Sequence, residues 1–315
     1  MPINVLVTMV SPTPEIEALF TQFTPRVNFH FLEKGEKVED SLDDVEVLYG
    51  TLKPDDFHKA KKLRWLQTNS TGVEHILYPE FQQSDIILTN IGRAVTSIVA
   101  DHALALFLAL ARNLHHQRDM MHQHMWQAFS GRDVGNMVLG ILGLGNIGLA
   151  IAQRAKAMVR EIHALDIRNL SQNDIITRAY NPDQLEDFLH ACDAVICSLP
   201  LTPQTSNLFS DREFQCMKSD SYLINICRGE VVNETALLRA LRAKEIAGAA
   251  IDVLAQEPLP PDNPLWDEPN LLITPHSAGY CENLSWRKMK HFAENLKHYI
   301  ESGTIPESID KARGW

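Results

Sequence analysis

Three side chains follow apolar runs suited to buried strands. Arg228 comes after YLINIC, Glu257 after AIDVLAQ and His276 after LLITP. A guanidinium grips a carboxylate through two parallel hydrogen bonds, which fix direction as well as position. An imidazole titrates near neutrality and can give or take a proton. A carboxylate beside it favours the imidazolium and fixes the ring. Together the three suit hydride addition to a ketone that carries a carboxylate. The arginine would hold the acid and polarise the carbonyl, and the histidine would protonate the developing alkoxide. Each residue alone has a plainer reading, as a solvated arginine, a loop charge or a loop histidine. Their recurrence on separate strand ends favours the chemical one, because strand carboxyl ends form the ligand crevice of a parallel sheet.

A hydride needs a donor, and LGILGLGNIGLA supplies a place for one. It contains Gly143-x-Gly145-x-x-Gly148 between a strand-like run and a helix-like run. In that context the first glycine makes a tight turn, the second lets backbone approach a pyrophosphate, and the third packs helix on strand. The helix start then offers N–H groups and a positive dipole end to the phosphates. EIHALD ends on Asp166, close to the spacing of about 20 residues at which a carboxylate takes the ribose hydroxyls. A carboxylate there repels a 2′-phosphate, so the expected cofactor is NAD, with NADP the lesser alternative because Arg168 follows closely.

These residues need two sheets to position them. INVLVTM, VEVLYG and LRWLQT read as strands, separated by the helix-like PEIEALFTQF and PDDFHKAKK. From about residue 95 a stretch without glycine or proline predicts one or two long helices. MVLGIL, EIHALD, DAVICSL, YLINIC, IAGAAIDV and LLIT then alternate with helical segments, the rhythm of a doubly wound sheet. A last helix is expected over about 282–302. The fold class is α/β, with two parallel-sheet domains.

Composition narrows the setting. The chain has 315 residues, 45% hydrophobic and 22% charged, as expected for a globular protein of two domains. A net charge of −11 argues against nucleic acid or an anionic membrane as the main partner. Five cysteines without a C-x-x-C pair suggest neither a disulfide framework nor a zinc site, and point to a reducing cytoplasm. The start reads as a first strand, not a signal peptide. His115, His116, His122 and His124 do not repeat a helical ligand spacing, so no metal is expected. Tyr49, Leu52, Tyr280 and Trp286 flank site motifs and are candidates to line a pocket, with core packing the alternative.

The motifs STGVEHI (70–76), VADHALALFLALAR (99–112), LGLGNIG (142–148), SLPLTPQT (198–205), NICRGEVV (225–232), AAIDVLAQEP (249–258) and TPHSAG (274–279) resemble those of the D-isomer-specific 2-hydroxyacid dehydrogenase family. The resemblance implies a Rossmann NAD-binding domain, residues 97–282, inserted into a flavodoxin-like substrate domain, residues 1–96 and 283–315, with catalysis in the cleft between them. It makes Arg228, Glu257 and His276 the substrate arginine, its carboxylate partner and the acid/base. It assigns Gly143, Gly145, Asn146, Ile147 and Gly148 to the pyrophosphate and Asp166 to the adenosine ribose. Pro200 and Thr205 would cover the cofactor, with Cys227 and Asp252 near the nicotinamide. Thr71, Gly72 and Val73 would meet the substrate carboxylate through backbone N–H groups. A small 2-oxoacid substrate and a homodimer built through residues 95–129 are implied too. Trp126 is either core or a residue reaching a neighbour's site. Cys227, adjoining the site, should react with thiol reagents. A phosphoglycerate or phosphonate dehydrogenase relative, or an NAD(H)-sensing corepressor-like protein, are the alternatives on the same fold.

Overall fold

A computed structural model describes residues 2–33, 35–170 and 173–314. The chain divides into two compact units, Met1–Val95 with Cys281–Trp315, and Thr96–Tyr280.

Unit 1 holds five strands: β1 (Ile3–Val7), β2 (Val27–Phe31), β3 (Val47–Tyr49), β4 (Trp65–Gln67) and β5 (Ile87–Thr89). All pair in parallel, in the order β2-β1-β3-β4-β5, the flavodoxin-like arrangement. The sequence reading found β1, β3 and β4. It passed over β2, whose VNFHF alternates between buried and exposed as an edge strand does, and β5, which is only three residues long. The helices of this first stretch of unit 1 are α1 (Pro14–Phe20), the single turn α2 (Pro79–Gln82) and the amino-terminal end of α3 (Gly92–Ala111). PDDFHKAKK is not an α-helix: Pro54–Lys59 forms a 3₁₀ helix with no buried residue, so no apolar stripe holds it in α form.

In unit 2, α3 runs on to Ala111 and α4 (Leu114–His122) follows after Asn113, whose φ of 53° breaks the helix. Seven parallel strands come next: β6 (Val138–Leu142), β7 (Glu161–Leu165), β8 (Arg178–Tyr180), β9 (Ala194–Cys197), β10 (Tyr222–Asn225), β11 (Gly248–Ile251) and β12 (Leu271–Ile273). Their order is β12-β11-β10-β9-β6-β7-β8. The chain steps outward from β6 in one direction and returns to its other side at β9, so the strand order reverses between these two. Strand carboxyl ends at such a reversal form a ligand crevice. Central strands are buried throughout, as helices on both faces require. Those helices are α5 (Asn146–Ala155), α6 (Leu185–Ala191), α7 (Asp211–Cys216) and α8 (Glu234–Ala243). α3 is long and apolar enough to cross a membrane, yet more than half of that stretch is buried in the protein, as in a core helix.

The last helix, α9 (Leu284–Ser302), belongs to unit 1. It buries Met289, Phe292, Leu296 and Tyr299, an i, i+3, i+7, i+10 stripe. The Phe292 ring lies 5.2 Å from both the Tyr49 and the Trp65 rings. Burying one such side chain contributes about 2–3 kcal/mol. Tyr49 and Leu52 are thus core residues, 0% and 1% exposed, and not pocket lining.

Candidate active site

The glycine loop links β6 to α5. Gly143 has φ +90°, and a Cβ there would sit 2.7 Å from the Ser198 carbonyl oxygen. A Cβ on Gly148 would lie 2.0 Å from the Gly143 oxygen, so only glycine lets α5 start this close to the strand end. Around Gly145 nothing lies within 4 Å of a built Cβ. That open space stands beside the start of a ten-residue helix at Asn146 and Ile147, where free N–H groups accumulate. The loop therefore fits a dinucleotide pyrophosphate.

Asp166, just past β7, is 7% exposed. Its Oδ2 accepts from Leu144 N at 2.7 Å, tying the strand end to the glycine loop. Arg168 donates to both carboxylate oxygens, at 2.9 and 2.8 Å, and its own N–H donates as well. Burial alone would raise the carboxyl; the Arg168 guanidinium and these two N–H groups outweigh it and hold Asp166 below the usual range. Opposite, Thr205 Oγ1 donates to the Pro200 oxygen at 2.7 Å and accepts from Thr202 N at 2.8 Å, closing the 200–205 loop on itself.

Three strand ends of unit 2 meet at one pocket of about 250 Å³, lined by Arg228, Leu254, Glu257 and His276 among others. Arg228 follows β10 and is half-buried. Its Nη1 donates to the Cys227 oxygen, and its own carbonyl accepts from Asn225 Nδ2 at 2.9 Å. Gly229 is what brings this turn against the end of β11, since a Cβ there would collide with the Leu254 backbone at 1.9 Å. Glu257 Oε1 accepts from Leu254 N at 2.9 Å, leaving Oε2 to take His276 Nδ1 at 2.8 Å. With Nδ1–H donating to the carboxylate, Nε2 is the nitrogen left to exchange a proton with a substrate. His276 has φ +50°, a left-handed conformation uncommon for a side chain of its size.

Asp252 explains how that conformation is held. It is 1% exposed, and its carboxylate accepts from Ser277 N at 2.9 Å, Ala278 N at 3.0 Å and Thr274 Oγ1 at 2.6 Å. Its carbonyl accepts from His276 N at 2.7 Å. Because the Thr274 hydroxyl hydrogen goes to Asp252, its oxygen takes His102 Nε2–H from α3, 3.1 Å away. Burial would raise the Asp252 carboxyl, and these donors bring it down instead. The carboxylate thus clamps residues 274–278. His102 and Thr274 were not singled out in the sequence; both lie inside quoted motifs, but only the fold brings residues 102 and 252 together.

Other residues fall where their surroundings put them. Cys227 is 6% exposed, its thiol donates to Asn225 Oδ1 at 3.0 Å, and burial pushes its pKa up, all of which oppose the reactivity expected of it. Trp126 is fully exposed and is not core. In unit 1, Thr71, Gly72 and Val73 follow β4, and their N–H groups donate to no group among the described residues. No three His, Cys, Asp or Glu side chains converge as a metal set among the described residues.

Residues 104–278 match the family described as D-isomer specific 2-hydroxyacid dehydrogenase, NAD binding domain. Glyoxylate reductase of Korarchaeum cryptofilum is 33% identical over 87% of this chain and 84% of its own length. Glyoxylate/hydroxypyruvate reductase B of Citrobacter koseri is 36% identical over 76% and 75%. The structure of an NADPH-dependent glyoxylate/hydroxypyruvate reductase from Sinorhizobium meliloti, in complex with NADP and sulfate, superposes with a TM-score of 0.85 at 25% identity, covering 99% of this chain and 100% of that one.

Proposed function

The chain belongs to the D-isomer-specific 2-hydroxyacid dehydrogenase family, and from that premise we propose that it reduces a small 2-oxoacid to the D-2-hydroxyacid with NADH. The observation behind the reading is the 2.8 Å contact between His276 and Glu257 in the pocket that Arg228 lines. Gly143, Gly145, Asn146, Ile147 and Gly148 would hold the pyrophosphate and Asp166 the ribose. The 200–205 loop and Cys227 would flank the rest. When bound, the reduced nicotinamide supplies the hydride.

The chain's own groups do the remainder. Arg228 holds the substrate carboxylate and draws electron density from the carbonyl. Glu257 aims the imidazole through its hydrogen bond to Nδ1. His276 Nε2 then delivers its proton to the alkoxide oxygen as charge develops there. Asp252 contributes by holding the backbone that carries His276. Glyoxylate, hydroxypyruvate or pyruvate satisfies these contacts, and relatives named for the first two support that size class.

The test is NADH oxidation against a panel of 2-oxoacids. His276→Ala should lower kcat by about 10²-fold or more while NADH binding, followed by fluorescence, stays near wild type. Equal loss of both would remove the histidine from the chemistry. A protein that binds NADH and reduces none of the panel would instead be a sensor.

A homodimer is part of the same reading. Large exposed apolar side chains gather on one segment, Leu114, Met121, Met125 and Trp126, which supports a second copy as its cover.

A further inference from the structure

We infer that Lys288 is a specificity-determining residue, a fixed cation that holds an anionic group of the substrate at the 69–73 turn of unit 1. The inference rests on the proposed reduction of a 2-oxoacid and extends it to a residue that no motif includes.

Lys288 lies on α9, one turn before Phe292, and the packing of Phe292 on Tyr49 and Trp65 fixes where that turn stands. Its ammonium donates to Asn69 Oδ1 at 3.0 Å and to the Asn69 carbonyl at 3.3 Å. The buried Tyr49 hydroxyl donates to the same Oδ1 at 2.8 Å, so the asparagine oxygen is held from two sides. An ammonium has three N–H groups, and these two contacts are all that it makes among the described residues. Among the described residues no carboxylate stands within 4.0 Å to neutralise it. Burial alone lowers its pKa, with no charge partner to restore it. A half-buried cation held by neutral oxygens is costly, and an anion relieves that cost.

The anion's place is given by the same turn. Two residues beyond Asn69 come the N–H groups of Thr71, Gly72 and Val73, all three without an acceptor among the described residues. Successive N–H groups in a turn form a concavity for a negative oxygen. Lys288 supplies the full charge that such dipoles lack. Its full positive charge favours a carboxylate over a neutral ligand at the N–H it has left.

Oxalate, which cannot be reduced, probes the site directly. Calorimetry should show wild type with NADH binding oxalate, and Lys288→Gln, which keeps a donor toward Asn69 but no charge, binding it roughly tenfold or more weakly. Lys288→Arg should recover most of the affinity. In turnover, Lys288→Gln should raise KM for the 2-oxoacid while kcat stays within about threefold. Wild type that ignores oxalate, or a Gln variant within about twofold of it, overturns the inference. If oxalate binding depends on Lys288 but no 2-oxoacid is reduced, the proposed activity fails and the anion site stands. If turnover proceeds and neither KM nor oxalate affinity responds, the inference fails alone.

Discussion

On the proposed function, Asp166 and Arg168 are the pair that would set the preference between NADH and NADPH. The pair is closed by two side-chain hydrogen bonds, and the guanidinium is still 59% exposed. Asp166 occupies the arginine, and on that reading its charge would oppose a 2′-phosphate. Asp166→Ser should free Arg168 and move the ratio of kcat/KM for NADH over NADPH toward NADPH by about tenfold or more, measured by oxidation of each cofactor at fixed 2-oxoacid. An unmoved ratio would mean that another residue reads the ribose. That Asp166 stands at the end of β7 was legible in sequence because its spacing from the glycines is local and fixed by one strand and one helix. Its bond to Arg168 was not, since only the turn after β7 shows that the arginine folds back.

At the scale of elements, the segment after β12 hangs on the end of β11. Asp252 offers two acceptor oxygens to two backbone N–H groups and one hydroxyl. Asp252→Asn would turn an NH₂ toward one of those donors. The expected result is a loss of about 1–3 kcal/mol in stability, read by urea denaturation. A fall in kcat of at least about tenfold should accompany it, with NADH affinity little changed. His102→Phe, which removes only the outermost donor, should do the same more weakly. The alternating strands and helices were readable from short apolar runs between turn residues. β2, β5 and β8 were missed because an exposed edge and three-residue strands give little periodicity. The 3₁₀ helix at Pro54–Lys59 was misread because its composition suits a helix while nothing holds it in one. Lys288 escaped notice for another reason, as its partner Asn69 lies 219 residues away in the chain.

At the scale of the molecule, the carboxylates with depressed pKa that are also buried lie, among the described residues, in unit 2. Asp193 accepts from Val138 N at 2.7 Å and Lys218 Nζ at 2.9 Å, and pairs with Arg132 at 3.3 Å. Burial would raise it, and these contacts lower it, as they do for Asp166 and Asp252. With folded pKa values below the unfolded ones, the unfolded chain binds more protons in acid. The stabilisation is complete above about pH 4 and is lost as pH falls through the folded values. Thermal midpoints should therefore drop steeply below about pH 4, and Asp193→Asn should flatten that drop while lowering the midpoint at neutral pH. The left-handed backbone at residue 276 has a further result for the molecule as a whole. A glycine would sit there without the roughly 1 kcal/mol that a histidine must overcome. Selection for relief of that strain alone would drift toward His276→Gly, which on the proposed function removes the proton donor. Durability and turnover are set against each other at a single bond rotation, and only a screen that scores both would keep the imidazole.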